Sequence, residues 1–521
     1  MANKPDGASA RGAWRAARLA LVLGLAGAPA AHAIEWRVEP SVRATATYTD
    51  NVRQSASNTQ DALILSATPS VMLRSEGSRR LQASLQYGFT GVSRFGGDSS
   101  DNLYHMLNAL GKAELVKDFL YVDGAAHISQ ELISILGSPA DATTNNSNRT
   151  TVGTYSISPY VQHRLGTFAI AQARYTASGA MFQNNVAANS SINAFTASLL
   201  SGTRFNDLSW GLNYSLRKAQ NRNAADTTLE SANVTAGYAL SSHFRVFGMV
   251  GQDWNDYLST TGTSGSFYSA GVGWSPTRRT SIEASAGERY FGRTFSLAAT
   301  HRTRMSRWNA SYSENVSDIT QQFLAQSSRI FWLCGANLNL VETADLTNPA
   351  PGSCIGPISA GQLATAYSSL GVSTSDLIAA GLLNIATTSG IYVIKNARAG
   401  VSWDVGRLSY GLVLTDTRRL YQALAGAEDR VQAVIGSVSY RLSAQTTATG
   451  GLSLTRNTAD ALVTGGAPRQ DDILSVSLGL NRRFDDKLDG ALIFRHTHRD
   501  SNLASATYDE NALTALVNMR F

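Results

Sequence analysis

The stretch LSWGLNYSL, Leu208 to Leu216, places Leu208, Trp210, Leu212, Tyr214 and Leu216 on one parity and Ser209, Gly211, Asn213 and Ser215 on the other. Side chains of an extended strand alternate between two faces, so this segment predicts a strand with one apolar and one polar surface. The same two-residue period recurs down the chain in units of about ten residues, each followed by a tight polar turn, a second alternation and a longer polar stretch. That unit is a β-hairpin, and it recurs.

The turns sort into two classes. Short ones are EGSRR after Ser75, VKDF at Val116, RLGT at Arg164, RFND at Arg204, LSSH at Leu240, SPTRR at Ser275, RTRMSR at Arg302, DVGR at Asp404, RLSA at Arg441 and RFDDK at Arg483. Between hairpins the connections are longer and rich in Asn, Ser, Thr and Asp, as in ADATTNNSNRTT and KAQNRNAADTTLES. Short turns on one side and long polar loops on the other are the asymmetry of an outer-membrane barrel, with the short turns periplasmic. Ten short turns, with both chain ends on their side, predict an all-β fold: a single large antiparallel transmembrane β-barrel of about 22 strands, in the range 20–24. Mean hydropathy of −0.12 does not oppose this, because a barrel hides its apolar residues in alternate positions.

The two ends of the chain fit export to an outer membrane. Lys4, Arg11, Arg15 and Arg18 precede the apolar run LALVLGLAG, and Ala31 and Ala33 supply the small residues of a cleavage site. Residues 1–33 therefore predict a signal peptide and 34–521 the barrel. The apolar run is too short to span a bilayer as a helix. At the other end NALTALVNMRF carries Leu513, Ala515, Val517, Met519 and Phe521 on one parity. It predicts a last, lipid-facing strand ending on an aromatic, paired with the first strand near Val38 to Tyr48.

One interruption, about 316–389, is too long for an ordinary connection and is expected to be a partly helical extracellular loop of functional weight. It contains the only two cysteines, Cys334 and Cys354. In an exported chain they predict a disulfide, worth roughly 3 kcal/mol for a loop of this size. Its segment from Ile358 to Ala386 reads as one or two short helices broken at Gly371-Val372-Ser373. There Leu363, Tyr367, Leu370, Leu377, Ile378, Leu382 and Leu383 need a packing partner. The loop either folds into the barrel mouth as a constriction or caps the rim from outside.

No GxSxG elbow, HExxH or P-loop occurs, so no enzyme, cofactor or metal site is expected. His496 and His498 share a face with Leu492 and Phe494, and are read as rim residues at the headgroup level. Trp36, Tyr48, Tyr87, Tyr160, Trp210, Tyr214, Trp274, Trp308, Tyr312, Tyr410 and Tyr440 lie near strand ends and suggest interfacial girdles. On the polar parity, Arg37, Glu39 and Arg43 of the first strand, with Arg174, Arg495 and Arg499, are expected to line the lumen. Such arginines either draw anionic solutes or form an Arg/Glu ladder that fills a polar interior. Net charge is +6, and about +3 once a leader with four basic residues and one acidic residue is gone; that excludes a nucleic-acid partner.

The stretches WRVEPSVRATATYTDN, DNLYHMLNALGKAELVKDFLYVD and FSLAATHRTRMSRWNASYSENVSD, with Tyr312-Ser313-Glu314 in the last, resemble the PEP-CTERM system-associated outer-membrane proteins. That resemblance implies a large barrel encoded beside exopolysaccharide genes in bacteria carrying an exosortase, hence a link to surface-polysaccharide or biofilm-matrix export. The expected partners are outer-membrane lipid and lipopolysaccharide, the barrel-assembly machinery that recognises a C-terminal aromatic, and exopolysaccharide or its export apparatus. Two functions follow: a pore or export-associated channel, or a non-conducting scaffold binding polysaccharide through its loops. A TonB-dependent receptor has the right strand count but places a plug domain before its barrel, whereas alternation here begins at the expected cleavage site.

Overall fold

A sheet with one apolar and one polar face must hide its polar side from lipid and its edges from everything, and closing on itself does both. The computed structural model describes residues 34–96, 101–134, 136–137, 148–183, 189–222, 225–260, 262–334, 339–343, 354–359 and 390–521. The leader with Ala31 and Ala33, and the expected helices around Leu363 to Leu383, lie outside the described residues.

Fifteen long strands come first: β1 (Glu35–Thr49), β2 (Ala62–Glu76), β3 (Leu81–Phe95), β4 (Asp101–Val116), β5 (Leu120–Leu132), β6 (Arg149–Leu165), β7 (Ala169–Phe182), β8 (Ser190–Ser201), β9 (Leu208–Asn221), β10 (Thr227–Ala239), β11 (Phe244–Trp254), β12 (Ser264–Thr277), β13 (Thr280–Arg289), β14 (Gly292–Arg302) and β15 (Ser306–Asp318). An insertion follows, containing helix α1 (Ile319–Ser328) and a small sheet of β16 (Ile330–Cys334), β17 (Asn339–Thr343) and β18 (Cys354–Ser359). Seven more long strands complete the chain: β19 (Ile391–Val405), β20 (Leu408–Tyr421), β21 (Glu428–Arg441), β22 (Thr446–Ala459), β23 (Arg469–Arg483), β24 (Leu488–Ser501) and β25 (Tyr508–Arg520).

Every long strand pairs antiparallel with its neighbours, and β15 passes directly to β19 across the insertion, Ser306 opposite Trp403 through Asp318 opposite Ile391. The seam closes between β1 and β25, with Ser41 opposite Arg520 and Thr49 opposite Ala512. The result is a closed 22-stranded barrel. Among the described residues no helix is long and apolar enough to cross a membrane; the wall crosses with strands.

Burial separates the two faces. Val250 and Leu478 stay 60% exposed, and Val38, Leu103, Ile157, Tyr268 and Phe295 share that outward parity. The inward parity carries hydroxyl and amide pairs joined across strands, such as Ser41 to Ser70 at 2.8 Å, Thr47 to Thr514 at 2.9 Å, Ser158 to Thr176 at 2.8 Å and Ser285 to Ser296 at 2.6 Å. An apolar outside and a hydrogen-bonded polar inside are what a bilayer-spanning wall requires.

All ten connections on the short-turn side hold two to six residues. Gly166 and Gly406 make two of them, at φ +57° and +63°, a conformation that glycine adopts without steric cost. One connection on the opposite side departs from the expected pattern, since Tyr290-Phe291 joins β13 to β14 as a two-residue turn. The insertion spans 319–390 rather than 316–389, because β15 keeps its ladder with β19 as far as Asp318.

Candidate functional site: the insertion and the lumen

α1 begins where β15 ends. Asp318 caps it, its Oδ1 accepting from the Gln321 N–H at 2.9 Å, which satisfies one of the amides a helix N-terminus leaves open. Ile319 and Phe323, four residues apart, make the buried stripe. They pack with Val152 of β6 and with Ala180 and Phe182 of β7, the rings of Phe323 and Phe182 meeting edge to face at 5.7 Å. Val152, Ala180 and Phe182 share the inward parity of Ser158 and Thr176, whereas Tyr155 and Met181 between them are exposed outward. The helix therefore lies inside the barrel, against strands eight or nine places away from the one that feeds it.

Polar contacts extend that seat. Thr320 Oγ1 bonds Ser190 Oγ of β8 at 2.7 Å, Gln326 Nε2 donates to Glu131 Oε1 of β5 at 3.2 Å, and Asp318 Oδ2 lies 2.5 Å from Arg217 Nη1 of β9. Further along, Ile330 and Trp332 of β16 bury against Leu110 of β4 with Ala125 of β5 beside them, and the Arg74 guanidinium of β2 stands 5.7 Å from the Trp332 ring. The described part of the insertion thus folds into the lumen and covers the inward face from β4 to β9. Of the two placements open to the loop, its described part takes the inward one.

Two further ties cross the same extracellular end. Thr260 N–H, in the β11–β12 connection, donates to Gln422 O after β20 at 2.8 Å. Arg499 of β24 donates to Gly137 O at 2.7 Å and Leu136 O at 2.8 Å, in the β5–β6 connection. With Asp318–Arg217, three contacts lace together wall segments five or six strands apart.

The expected lumen residues are placed as follows. Arg37 and Glu39 face inward at the periplasmic end and pair at 2.6 Å, with Glu76 3.6 Å from Arg37. Arg174 pairs with Asp123 at 2.8 Å and lies 3.8 Å over the ring of Tyr160. Arg43 and Arg495 share the inward parity and are also engaged. Arg499, only 2% exposed, bonds Asp471 at 2.7 Å and is a strut for a loop rather than part of an open lining. The alternative of an Arg/acid ladder describes Arg37, Arg174 and Arg499; their charge is met by neighbouring carboxylates.

Tyr160 corrects the girdle reading: it stacks on Tyr121 at 5.0 Å on the inward face instead of meeting lipid. Trp36, Tyr48, Tyr87, Trp274, Trp308, Tyr410 and Tyr440 are exposed on the outward face. His496 and His498 also face outward, bonded to Asn511 at 2.9 Å and Asp509 at 2.8 Å. In β25, Leu513, Val517 and Met519 are exposed outward, Ala515 shares their parity, and Phe521 closes on Pro40 O through its N–H at 3.0 Å. Cys334 stands directly opposite Cys354 in the β16–β18 register; the side chains of both lie outside the described residues.

Sequence reasoning missed the seat of α1. An Asp followed by apolar residues at the first and fifth helical positions was the available signal. It was obscured because ITQQFLAQSS is short and continues a strand without a break.

No family model matches the chain, and no curated protein does. Among solved structures it is similar to the FrpB iron transporter from Neisseria meningitidis (F5-1 variant), at 11% identity over 93% of this chain and 82% of that one, with a TM-score of 0.50. The siderophore receptor PirA from Acinetobacter baumannii matches at 9% identity over 94% and 81%, TM-score 0.47. A loop-deletion mutant of the outer-membrane protein OmpT of Vibrio cholerae matches at 8% over 94% and 100%, TM-score 0.31. At such identities the likeness is one of fold. With a closed 22-stranded wall, an apolar exterior and a polar interior, the protein is a Gram-negative outer-membrane β-barrel.

Proposed function

We propose that the protein is an outer-membrane channel for large hydrophilic solutes, closed toward the extracellular side by its own insertion and linked to exopolysaccharide or biofilm-matrix export. The observation that carries this reading is α1 seated across the lumen on Val152, Ala180 and Phe182. A barrel of this strand number is wide enough for an aqueous or plugged lumen, and an insertion held through two small apolar seats and a few polar contacts can leave it. The wall supports the choice of solute. Away from the insertion, its inward face is dominated by small and hydroxyl side chains, among them Ser269, Gly271, Ser285, Ser296, Ser453 and Ser477. A charge-compensated, hydroxyl-lined surface suits neutral hydroxylated polymers better than it suits selected anions. The resemblance of the Trp36, Asp101 and Phe295 stretches to exosortase-associated barrels makes polysaccharide the first polymer to test.

Because Asp318 and Ile391 already stand opposite each other in the ladder, a short Gly-rich turn can replace 319–390 without disturbing the wall. In planar bilayers this variant is expected to pass a large steady current, and the full-length barrel a small or intermittent one. No current from either protein would overturn the channel reading. The lacing of the extracellular mouth would then favour the scaffold, tested by polymer retention at the cell surface after loop shortening.

A further inference from the structure

The outward face of β19, β20 and β21 carries an arrangement that neither the fold nor the lumen requires. Lys395 stands directly opposite Arg418 in the β19–β20 register, and Arg418 directly opposite Arg430 in the β20–β21 register. Like charges directly opposite each other on one face of a sheet destabilise it. Nowhere else among the described residues do three cations occupy directly opposed outward positions.

Their outward parity follows from their strands. Arg418 continues the series Tyr410, Leu412 and Leu414, and Arg430 the series Tyr440, Val438 and Val434, all exposed toward lipid. Their depth follows from strand geometry. The aromatic girdle beneath them, with Trp308, Trp403 and Tyr410 in mutual ring contact at 5.4 and 4.9 Å, marks the periplasmic interface. From Trp403 to Lys395 and from Tyr410 to Arg418 is eight residues, and from Tyr440 to Arg430 ten. At about 3.3 Å per residue and a tilt of about 40°, those paths rise roughly 20–25 Å along the membrane normal. That matches the ~25 Å apolar band of an outer-membrane barrel, so the row sits where hydrocarbon gives way to the outer-leaflet headgroups.

Three carboxylates relieve the repulsion without using up the donors. Lys395 lies 3.5 Å from Glu314, Arg418 Nη2 2.5 Å from Glu428, and Arg430 spans both oxygens of Asp416 at 2.7 and 2.6 Å. A guanidinium has five N–H donors and an ammonium three, and the three side chains remain 32–39% exposed. Strands are about 4.8 Å apart, so the row presents cations over about 10 Å, spaced for phosphate oxygens.

We propose that this row is a binding site for the phosphorylated headgroup of lipopolysaccharide, with Lys395, Arg418 and Arg430 contacting phosphate. The inference does not depend on the channel reading.

The test is a thermal-unfolding series on the detergent-solubilised full-length barrel, with native mass spectrometry of bound lipid. Purified lipopolysaccharide is expected to raise the midpoint of the wild type by several degrees and to remain bound in the mass spectrum. The triple variant K395Q/R418Q/R430Q is expected to lose both, and K395R/R418K/R430K to keep them. Inorganic phosphate alone is expected to give no shift; a shift equal to that with lipopolysaccharide would assign the row to free phosphate and overturn the proposal. Equal lipid retention by the wild type and the neutral triple variant, or no lipid on the wild type, would also overturn it. Should the triple variant fail to show heat-modifiable migration, the single variant R418Q, at the centre of the row, supplies the comparison with the same expected direction.

Discussion

Replacing Phe323 with Ala should open the channel without unfolding the barrel. The ring is 3% exposed, packed edge to face on Phe182 and enclosed by Val152 and Ala180, themselves 1% and 0% exposed. Truncating a buried Phe to Ala costs about 3–5 kcal/mol in a core; the lower figure applies to a helix packed on one side only. Because 1.4 kcal/mol is a factor of ten, about 3 kcal/mol shifts the ratio of seated to unseated helix roughly a hundredfold toward unseated. The wall is not weakened by the same amount, since its ladders run from strand to strand and do not pass through α1. Single-channel recording should therefore show F323A open for a far larger share of the time than the wild type. Limited proteolysis should cut near Gln321–Gln326 in the variant and not in the wild type, with heat-modifiable migration equal in both. Wild-type current together with wild-type protection in F323A would refute the idea that this seat holds the lumen shut.

Deleting Phe521 should lower the yield of assembled barrel and induce the envelope-stress response, read by heat-modifiable migration of membrane fractions; normal abundance would count against an assembly role for the last strand. Arg499→Met removes one of the two arginines on the buried Asp471, leaving Arg469 at 3.2 Å, so it should cost less than the ~3–5 kcal/mol of a fully broken buried pair, and it should expose the 133–148 connection to protease while single-channel noise rises. Mass measurement of the exported protein should find Cys334 and Cys354 two hydrogens lighter than the reduced chain, because the β16–β18 register sets them opposite each other; full alkylation without reductant would show that no bond forms.

The barrel was legible in the sequence because its requirement is simple and repeated. Each strand must alternate, and each short turn must reverse the chain in a few polar residues, so all ten periplasmic connections and the strand number followed from local pattern. Parity also gave the lipid face of β25 and the inward face of β1 from single residues. What stayed hidden depends on contacts distant in sequence. Phe323 meets Phe182 only because the barrel has closed, and nothing near ITQQF announces that partner. Tyr160 looked like a girdle residue from its place near a strand end, and only its register with Tyr121 and Arg174 shows it in the lumen. The Lys395–Arg418–Arg430 row is likewise invisible until three strands are aligned residue against residue.

The central claim, that the insertion sits in the lumen and closes it, is tested most directly by joining it to the wall. Ser190 Oγ and Thr320 Oγ1 are 2.7 Å apart, so cysteines at the two positions bring their side chains into direct contact. In a background carrying C334S and C354S, the double variant S190C/T320C should cross-link in the folded, membrane-inserted barrel. It should carry a low current that rises when the bond is reduced. A folded double variant that does not cross-link, or whose current is the same oxidised and reduced, would contradict a lumen closed by α1.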